Sequence, residues 1–234
     1  MLNLNSYGLS CYQTWGIIGM MPWFYYVARA LVKILVTLFT RLRVIGKENI
    51  PGEGPLLIVA NHLNLADPPI LGIVFGRKVV FMAKEELFRS RFCGYFMRGF
   101  GAFPVHRRRL DRNALHEATR VLKQGKGLVV FPEGSRSRSK RLQPGLPGAA
   151  LVALRSCVPL LPVGISGTEK IKGVAWIFRR PEITVNIGRP FQITSVNGRP
   201  TKEELIRLTD GIMGHIAGLL PPKYAGHYKR QGVK

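Results

Sequence analysis

With 234 residues, 46% of them hydrophobic, the chain is long enough for one α/β domain with a substantial core and too apolar to be disordered. Thirty-five Lys and Arg stand against 13 Asp and Glu, a formal net charge of +22. Such an excess calls for an anionic partner: nucleic acid, an anionic membrane surface or a phosphorylated substrate. Segment 77–141 holds 17 Lys/Arg and five Asp/Glu, so more than half of the excess is concentrated there. Cys11, Cys93 and Cys157 show no CxxC or Cys/His metal spacing, and read as reduced thiols of a cytosol-facing protein.

The first stretch with a pattern is WGIIGMMPWFYYVA (15–28), an apolar run with a proline inside, continued by RALVKILVTLFTRLR (29–43). No basic residue precedes the apolar part, which speaks against a cleaved signal peptide. Arg29, Lys33, Thr37 and Arg41 recur every four residues and form one polar stripe on an otherwise apolar helix. That suits a helix lying in a membrane interface with its basic side chains toward head groups, and Trp15 and the aromatics 23–26 suit the same place. A spanning helix, which needs about 20 apolar residues and would bury Arg29, is a second reading. A helix packed against the soluble domain is a third.

Beyond Arg43, GKENIPGEGP (46–55) reads as a turn region. LLIVA (56–60) is a short continuous apolar run, as in a strand buried on both faces. Pro68 and Pro69 disfavour helical geometry at the residues before them, so a helix begins near them and runs through ILGIVF. Next come a strand KVVFMA (78–83), a helix at 84–98 and a short strand GAFPV (101–105). RNALHEATRVLKQG (112–125) carries Leu115, Ala118, Val121 and Leu122 at helical spacing, with Gly125 as its terminator. LVVF (128–131), VPLLPVGI (158–165) and ITVNIG (183–188) are strands, and GAALVAL (148–154) is a helix. Thr201 and Glu204 form a capping box for a last helix at 202–219, and the tail PPKYAGHYKRQGVK is read as solvated or membrane-touching. Alternation of strands and helices predicts an α/β fold: a mostly parallel central sheet flanked by helices, preceded by N-terminal membrane-anchoring helices.

Sites in open α/β sheets lie beyond the C-terminal strand ends. Here LLIVA leads to Asn61, His62 and Asp67; AFPV to His106, Arg107, Arg108 and Arg109; and LVVF to Glu133, Ser135, Arg136 and Arg138. A neutral imidazole can take a hydroxyl proton, and a carboxylate on its other nitrogen fixes the tautomer. On a continuous helix, residues five apart point about 140° apart; a loop closed by prolines can bring His62 and Asp67 together. Asp67 can also cap the helix that follows. There is no G-x-S-x-G elbow, Walker loop or G-x-G-x-x-G, and the five histidines lack zinc spacing. What remains is a base, an acid and arginines beside an expected membrane anchor. That combination suits direct transfer of an activated acyl group to a hydroxyl on a phosphate-bearing lipid. In FPEGSRSR (131–138), Gly134 permits a tight turn, Arg136 and Arg138 fit phosphate oxygens, and Glu133 either meets a substrate hydroxyl or holds Arg136.

NHLNLADPP, GAFPVHR, FPEGSRSR and VPLLPV, in this order over residues 40–190, resemble the four motifs of the glycerolipid acyltransferases, and within them the 1-acylglycerol-3-phosphate acyltransferases. The resemblance implies an anchoring segment at 1–40 and a catalytic domain at 41–234. It implies a catalytic His62–Asp67 pair with the histidine as base. It implies acceptor-phosphate contacts from Arg107 and from Glu133, Gly134, Ser135 and Arg136. It places Val158, Pro159, Pro162 and Val163 along the acyl-chain pocket, with Asn61 beside the catalytic histidine in a structural role. His106 stands where the second motif often has an acid, and Ser135 where the third more often has Thr.

The expectation is therefore a membrane-bound enzyme on the cytoplasmic face of a bacterial cell membrane. Its partners would be the bilayer, lysophosphatidic acid and a thioester co-substrate, either acyl-CoA or acyl carrier protein. Neither bound cofactor nor metal is expected, nor a nucleic-acid partner. Another lysolipid, glycerol-3-phosphate or an ornithine lipid could be the acceptor instead. A non-catalytic basic protein binding membranes or nucleic acid would account for the charge, but not for Asn61, His62 and Asp67 in a strand-end loop. The oxyanion donor is open, with backbone N–H groups near His62 or Gly134 as candidates.

Overall fold

The computed structural model describes residues 22–105, 112–193, 198 and 200–228. Its centre is a seven-stranded sheet in the order β1-β7-β6-β2-β5-β3-β4. The strands are β1 (Arg41–Ile45), β2 (Leu56–Ala60), β3 (Val79–Lys84), β4 (Ala102–Val105), β5 (Gly127–Val130), β6 (Leu160–Ser166) and β7 (Glu182–Ile187). Every described strand pairing is parallel except β6 with β7, so the expected mostly parallel α/β sheet is what forms.

Strand β2 is fully buried because both faces are covered. Leu57 and Val59 face a core built with α4 (Arg112–Lys123), α5 (Gly148–Ser156) and α7 (Lys202–Gly218). Leu56, Ile58 and Ala60 face the opposite core, which holds α2 (Asp67–Val74). Helix α7 starts with the expected capping box: Glu204 N–H donates to the Thr201 hydroxyl, and Thr201 N–H donates to the Glu204 carboxylate.

Three elements depart from the sequence reading. Helix α1 (Pro22–Phe39) stops before Arg41, which begins β1, so the expected four-residue polar stripe loses its last member. RLRVI alternates in burial as an edge strand and pairs with β7, about 140 residues further on. Arg29 does not point to head groups either: its guanidinium donates to the Phe75 carbonyl at the end of α2, 3.0 Å away. One face of α1 is thus packed on the domain through Tyr25, Ala28 and Arg29, while Val27, Leu31, Ile34, Leu35 and Leu38 remain exposed on another. Among the described residues no helix is long and apolar enough to cross a membrane. Residues 1–21, the rest of the expected anchor, lie outside the described residues.

The expected helix at 84–98 is divided into a 3-10 turn (Glu85–Phe88) and α3 (Arg91–Gly99). The break buries Phe88 and brings Gly94 against the Phe88 backbone, where a Cβ would sit 2.9 Å from its carbonyl oxygen. The tail, finally, is packed on the domain at Tyr224, Ala225 and Tyr228, while Pro221, Pro222, Lys223 and His227 stay exposed. Tyr224 is buried and its hydroxyl donates to Glu169, its carbonyl accepts from Leu142 N–H, and Tyr228 Oη accepts from Gly145 N–H. Short helix α6 (Trp176–Arg179), between β6 and β7, had no signature in the periodicity.

Candidate active site

Because β5, β2 and β6 lie side by side and parallel, their C-terminal ends open on one edge of the sheet. The loops 61–66, 131–147 and 167–181 therefore meet there. In the first, Asn61 replaces a strand neighbour with its own amide. Its Nδ2 donates to Ile165 O at 2.8 Å, and its Oδ1 accepts from Ile165 N–H at 2.7 Å. This two-point bond fixes where the chain leaves β2, a structural role for Asn61.

His62 follows. Its Nδ1 lies 2.8 Å from Asp67 Oδ2, and both side chains are buried. The same carboxylate oxygen accepts from Leu63 N–H and Asn64 N–H, each at 2.7 Å. Asp67 stands in the first turn of α2, but Ala66 is the N-cap, and the carboxylate turns back into the loop instead of capping the helix. Pro68 and Pro69 supply no N–H for it to cap. With Asp67 on Nδ1, the imidazole is held as the tautomer whose Nε2 is the free acceptor. A buried base with one free lone pair, oriented by a carboxylate, is equipped to take a proton from a hydroxyl.

Two further contacts hold His62, one on its ring and one on its backbone, and neither had a local signature beyond an apolar residue before PEG. Phe131 stacks on His62 with centroids 4.2 Å apart and planes 21° from parallel. Ser137 N–H donates to the His62 carbonyl at 2.8 Å.

Glu133 is turned inward. Its side chain is buried, one oxygen accepts from His62 N–H at 2.8 Å, and the other from Gln143 N–H at 3.0 Å. Both oxygens serve backbone donors, so Glu133 braces the loop that carries His62. Burial pushes its carboxyl up to about 7, against the pull of those two N–H groups, with the Asp67 charge adding to the rise. Gly134 takes φ +68, a left-handed conformation that strains any residue with a Cβ, and that Cβ would also displace the Leu146 methyl 2.5 Å away. The candidate oxyanion donors at these two positions are engaged: His62 N–H goes to Glu133, and Gly134 N–H to Phe131 O.

Ser135, Arg136 and Arg138 are exposed at the rim of the same loop. Arg107, with His106, Arg108 and Arg109, lies outside the described residues. From the fourth motif, Val158, Pro162 and Val163 are buried in the sheet region and Pro159 is half-buried. Pro162 faces Val59 of β2, and its carbonyl accepts from Gly188 N–H at 2.9 Å.

An oriented, buried His–Asp pair at the ends of parallel strands, with arginines on its rim, has the geometry that transfer by an imidazole base requires. The family model of the acyltransferases matches residues 41–166, and the chain belongs to that family; it is an acyltransferase. It is similar to the 1-acyl-sn-glycerol-3-phosphate acyltransferase of Bacillus subtilis, with 28% identity over 83% of this chain and 95% of the relative. The enzyme of that name from Streptococcus pneumoniae is 32% identical over 74% of this chain and 64% of its own length. The crystal structure of the 1-acyl-sn-glycerophosphate (LPA) acyltransferase from Thermotoga maritima superposes with a TM-score of 0.63 at 29% identity, over 83% of this chain and 78% of that one.

The raised Glu133 carboxyl makes stability depend on pH. The folded state binds its proton up to about 7, whereas the unfolded chain releases it near 4.5. The folded form thus holds more protons in that window, and stability falls as pH rises through it. Urea unfolding from pH 4.5 to 8 should show this component in the wild type and not in Glu133→Gln. Equal pH slopes in the two proteins would remove Glu133 from the account.

Proposed function

We propose that this acyltransferase moves a fatty acyl group from a thioester to the sn-2 hydroxyl of 1-acylglycerol-3-phosphate (lysophosphatidic acid), giving phosphatidic acid at the cytoplasmic face of a membrane. The observation that carries the reading is the His62 Nδ1–Asp67 Oδ2 contact of 2.8 Å, which leaves Nε2 as the base. The names of the relatives support the acceptor, and the net charge of +22 favours an anionic acceptor and an acidic donor, acyl-CoA or acyl carrier protein.

In the proposed step, His62 Nε2 takes the hydroxyl proton as the oxygen attacks the thioester carbonyl. Asp67 stabilises the imidazolium that forms. The tetrahedral intermediate collapses with cleavage of the C–S bond, and the imidazolium returns its proton to the leaving thiolate. No resident cofactor is needed for this sequence. Arg136 binds the acceptor phosphate from the rim, and Arg107 joins it from the second motif. A guanidinium suits this task because its fork matches two phosphate oxygens.

His62→Ala should leave a folded protein and lower transfer by about 10²–10⁴-fold, the usual contribution of a general base. Asp67→Asn should also be severe, since it removes the imidazolium's charge partner while keeping the side chain's size. Near wild-type turnover in folded His62→Ala protein would end this mechanism. The assay is release of free thiol from thioester in the presence of lysophosphatidic acid, with the lipid product identified by mass.

Arg136→Ala should raise KM for the lysolipid more than KM for the thioester, and Lys at this position should restore only part, because it acts as a point charge. A rise confined to the thioester would assign Arg136 to the donor instead.

A further inference from the structure

The β6–β7 connection, residues 167–181, begins at the same sheet edge as the loop of His62. It leaves β6 through Gly167 in the left-handed region and carries the sequence KIKGVAWIFRR over 170–180. Four cations and no acid fall in those eleven residues. Lys170, Lys172, Arg179 and Arg180 are all exposed. Among them project two apolar side chains, Val174 at 73% and Phe178 at 87% exposure, the highest values of any large hydrophobic side chain among the described residues. A folded domain gains nothing in water from a phenylalanine held that far out.

Contacts on two sides tie this loop to its surroundings. Asn64 Nδ2, from the catalytic loop, donates to the Ile171 carbonyl at 3.1 Å. On the other side, Arg180 Nη2 donates to the Thr37 carbonyl at 3.3 Å, and the rings of Trp176 and Phe39 meet edge to face at 6.3 Å. The loop therefore bridges the His62 loop and the C-terminal end of α1. That helix carries the exposed stripe of Val27, Leu31, Ile34 and Leu38 at helical spacing. The loop that carries Val174 and Phe178 is thus joined to the end of the helix that carries this stripe.

We propose that residues 170–180 are a second membrane-insertion element, which lowers Val174 and Phe178 into an anionic bilayer and so holds the His62 loop at the lipid surface. The inference rests on the proposed lipid acceptor and extends it to how the enzyme meets that acceptor. The occupant is read from the chemistry. Protruding apolar side chains match acyl chains, and an acid-free collar of Lys and Arg around them matches head-group phosphates. The Asn64–Ile171 bond makes the docking functional, because a displacement of the loop is transmitted to the segment that Asp67 organises.

The test uses the full-length protein with vesicles of phosphatidylglycerol or of phosphatidylcholine. A Phe178→Cys variant, with Cys11, Cys93 and Cys157 changed to Ser, carries an environment-sensitive fluorophore at 178. Its emission should shift to the blue and be quenched by brominated lipid on phosphatidylglycerol vesicles, and much less so on phosphatidylcholine. Val174→Ser/Phe178→Ser should partition onto phosphatidylglycerol vesicles about tenfold or more weakly, in line with the loss of two buried apolar side chains. Its transfer to long-chain lysophosphatidic acid in vesicles should fall by a similar factor. Transfer to a short-chain acceptor dissolved as monomers should be unchanged, and so should its thermal midpoint. A fluorophore at 178 that ignores vesicles would overturn the proposal, as would unchanged partition of the double variant. Shielding of the fluorophore by self-association without lipid would overturn it in favour of a second copy of the chain. If the wild type transferred nothing to lysophosphatidic acid in either form, the acceptor assignment would fail while the fluorescence still decided the docking.

Discussion

One carboxylate oxygen organises the catalytic loop. Asp67 Oδ2 receives the His62 imidazole and the N–H groups of Leu63 and Asn64, all within 2.8 Å. Those donors lie three to five residues behind it in the chain, so the oxygen draws residues 62–67 into a closed turn. The buried site makes the arrangement obligatory, since an N–H left without a partner there costs about 1–3 kcal/mol. The proline pair that follows keeps the carboxylate facing backwards, because neither proline offers it a helix N–H. Local strand-end sequence, loop closure and base orientation are in this way a single event.

The turn is then held from outside by groups on neighbouring segments. Asn61 ties its start to β6, Glu133 takes the His62 N–H, and Phe131 covers the ring. Glu133 in turn reaches Gln143 N–H, and the neighbouring Leu142 and Gly145 are bonded to Tyr224 and Tyr228 of the tail. A series of hydrogen bonds thus links the C-terminal segment to the backbone of His62. Such an outer frame is what a general base requires, because small displacements of a reacting group lower rates steeply.

Charge is distributed to match. The two carboxylates of the site are buried and bonded, so they do not cancel the basic rim that meets solvent. Exposed arginines of the third motif and the cationic connection 170–180 both border the edge where the strands end. An anionic acceptor in an anionic surface would meet positive charge at both of these borders. The apolar stripe of α1 and the tip of α6 give this basic border its hydrophobic counterpart.

Much of this was present in the chain itself. The apolar run 56–60 announced a strand buried on both faces, the prolines placed a loop before α2, and Thr201 with Glu204 announced a capped helix; each signal is local, and each element formed within a few residues of its expected place. The four ordered motifs carried the family, because catalysis requires particular residue types at particular strand ends. Tertiary structure alone decided what depended on distant partners. RLRVI became a strand because β7 lies beside it, and Arg29 turned inward because the end of α2 offered a carbonyl. Glu133 became a brace for His62, since two backbone N–H groups from separate segments converge on it. The tail packed because Leu142, Glu169 and Asp210 stand where Tyr224 and Tyr228 can reach them. Spacing along a sequence reports neighbours within a turn or a strand; the partners of a buried polar group are set by which strands lie side by side, and that is fixed only when the sheet closes around its core.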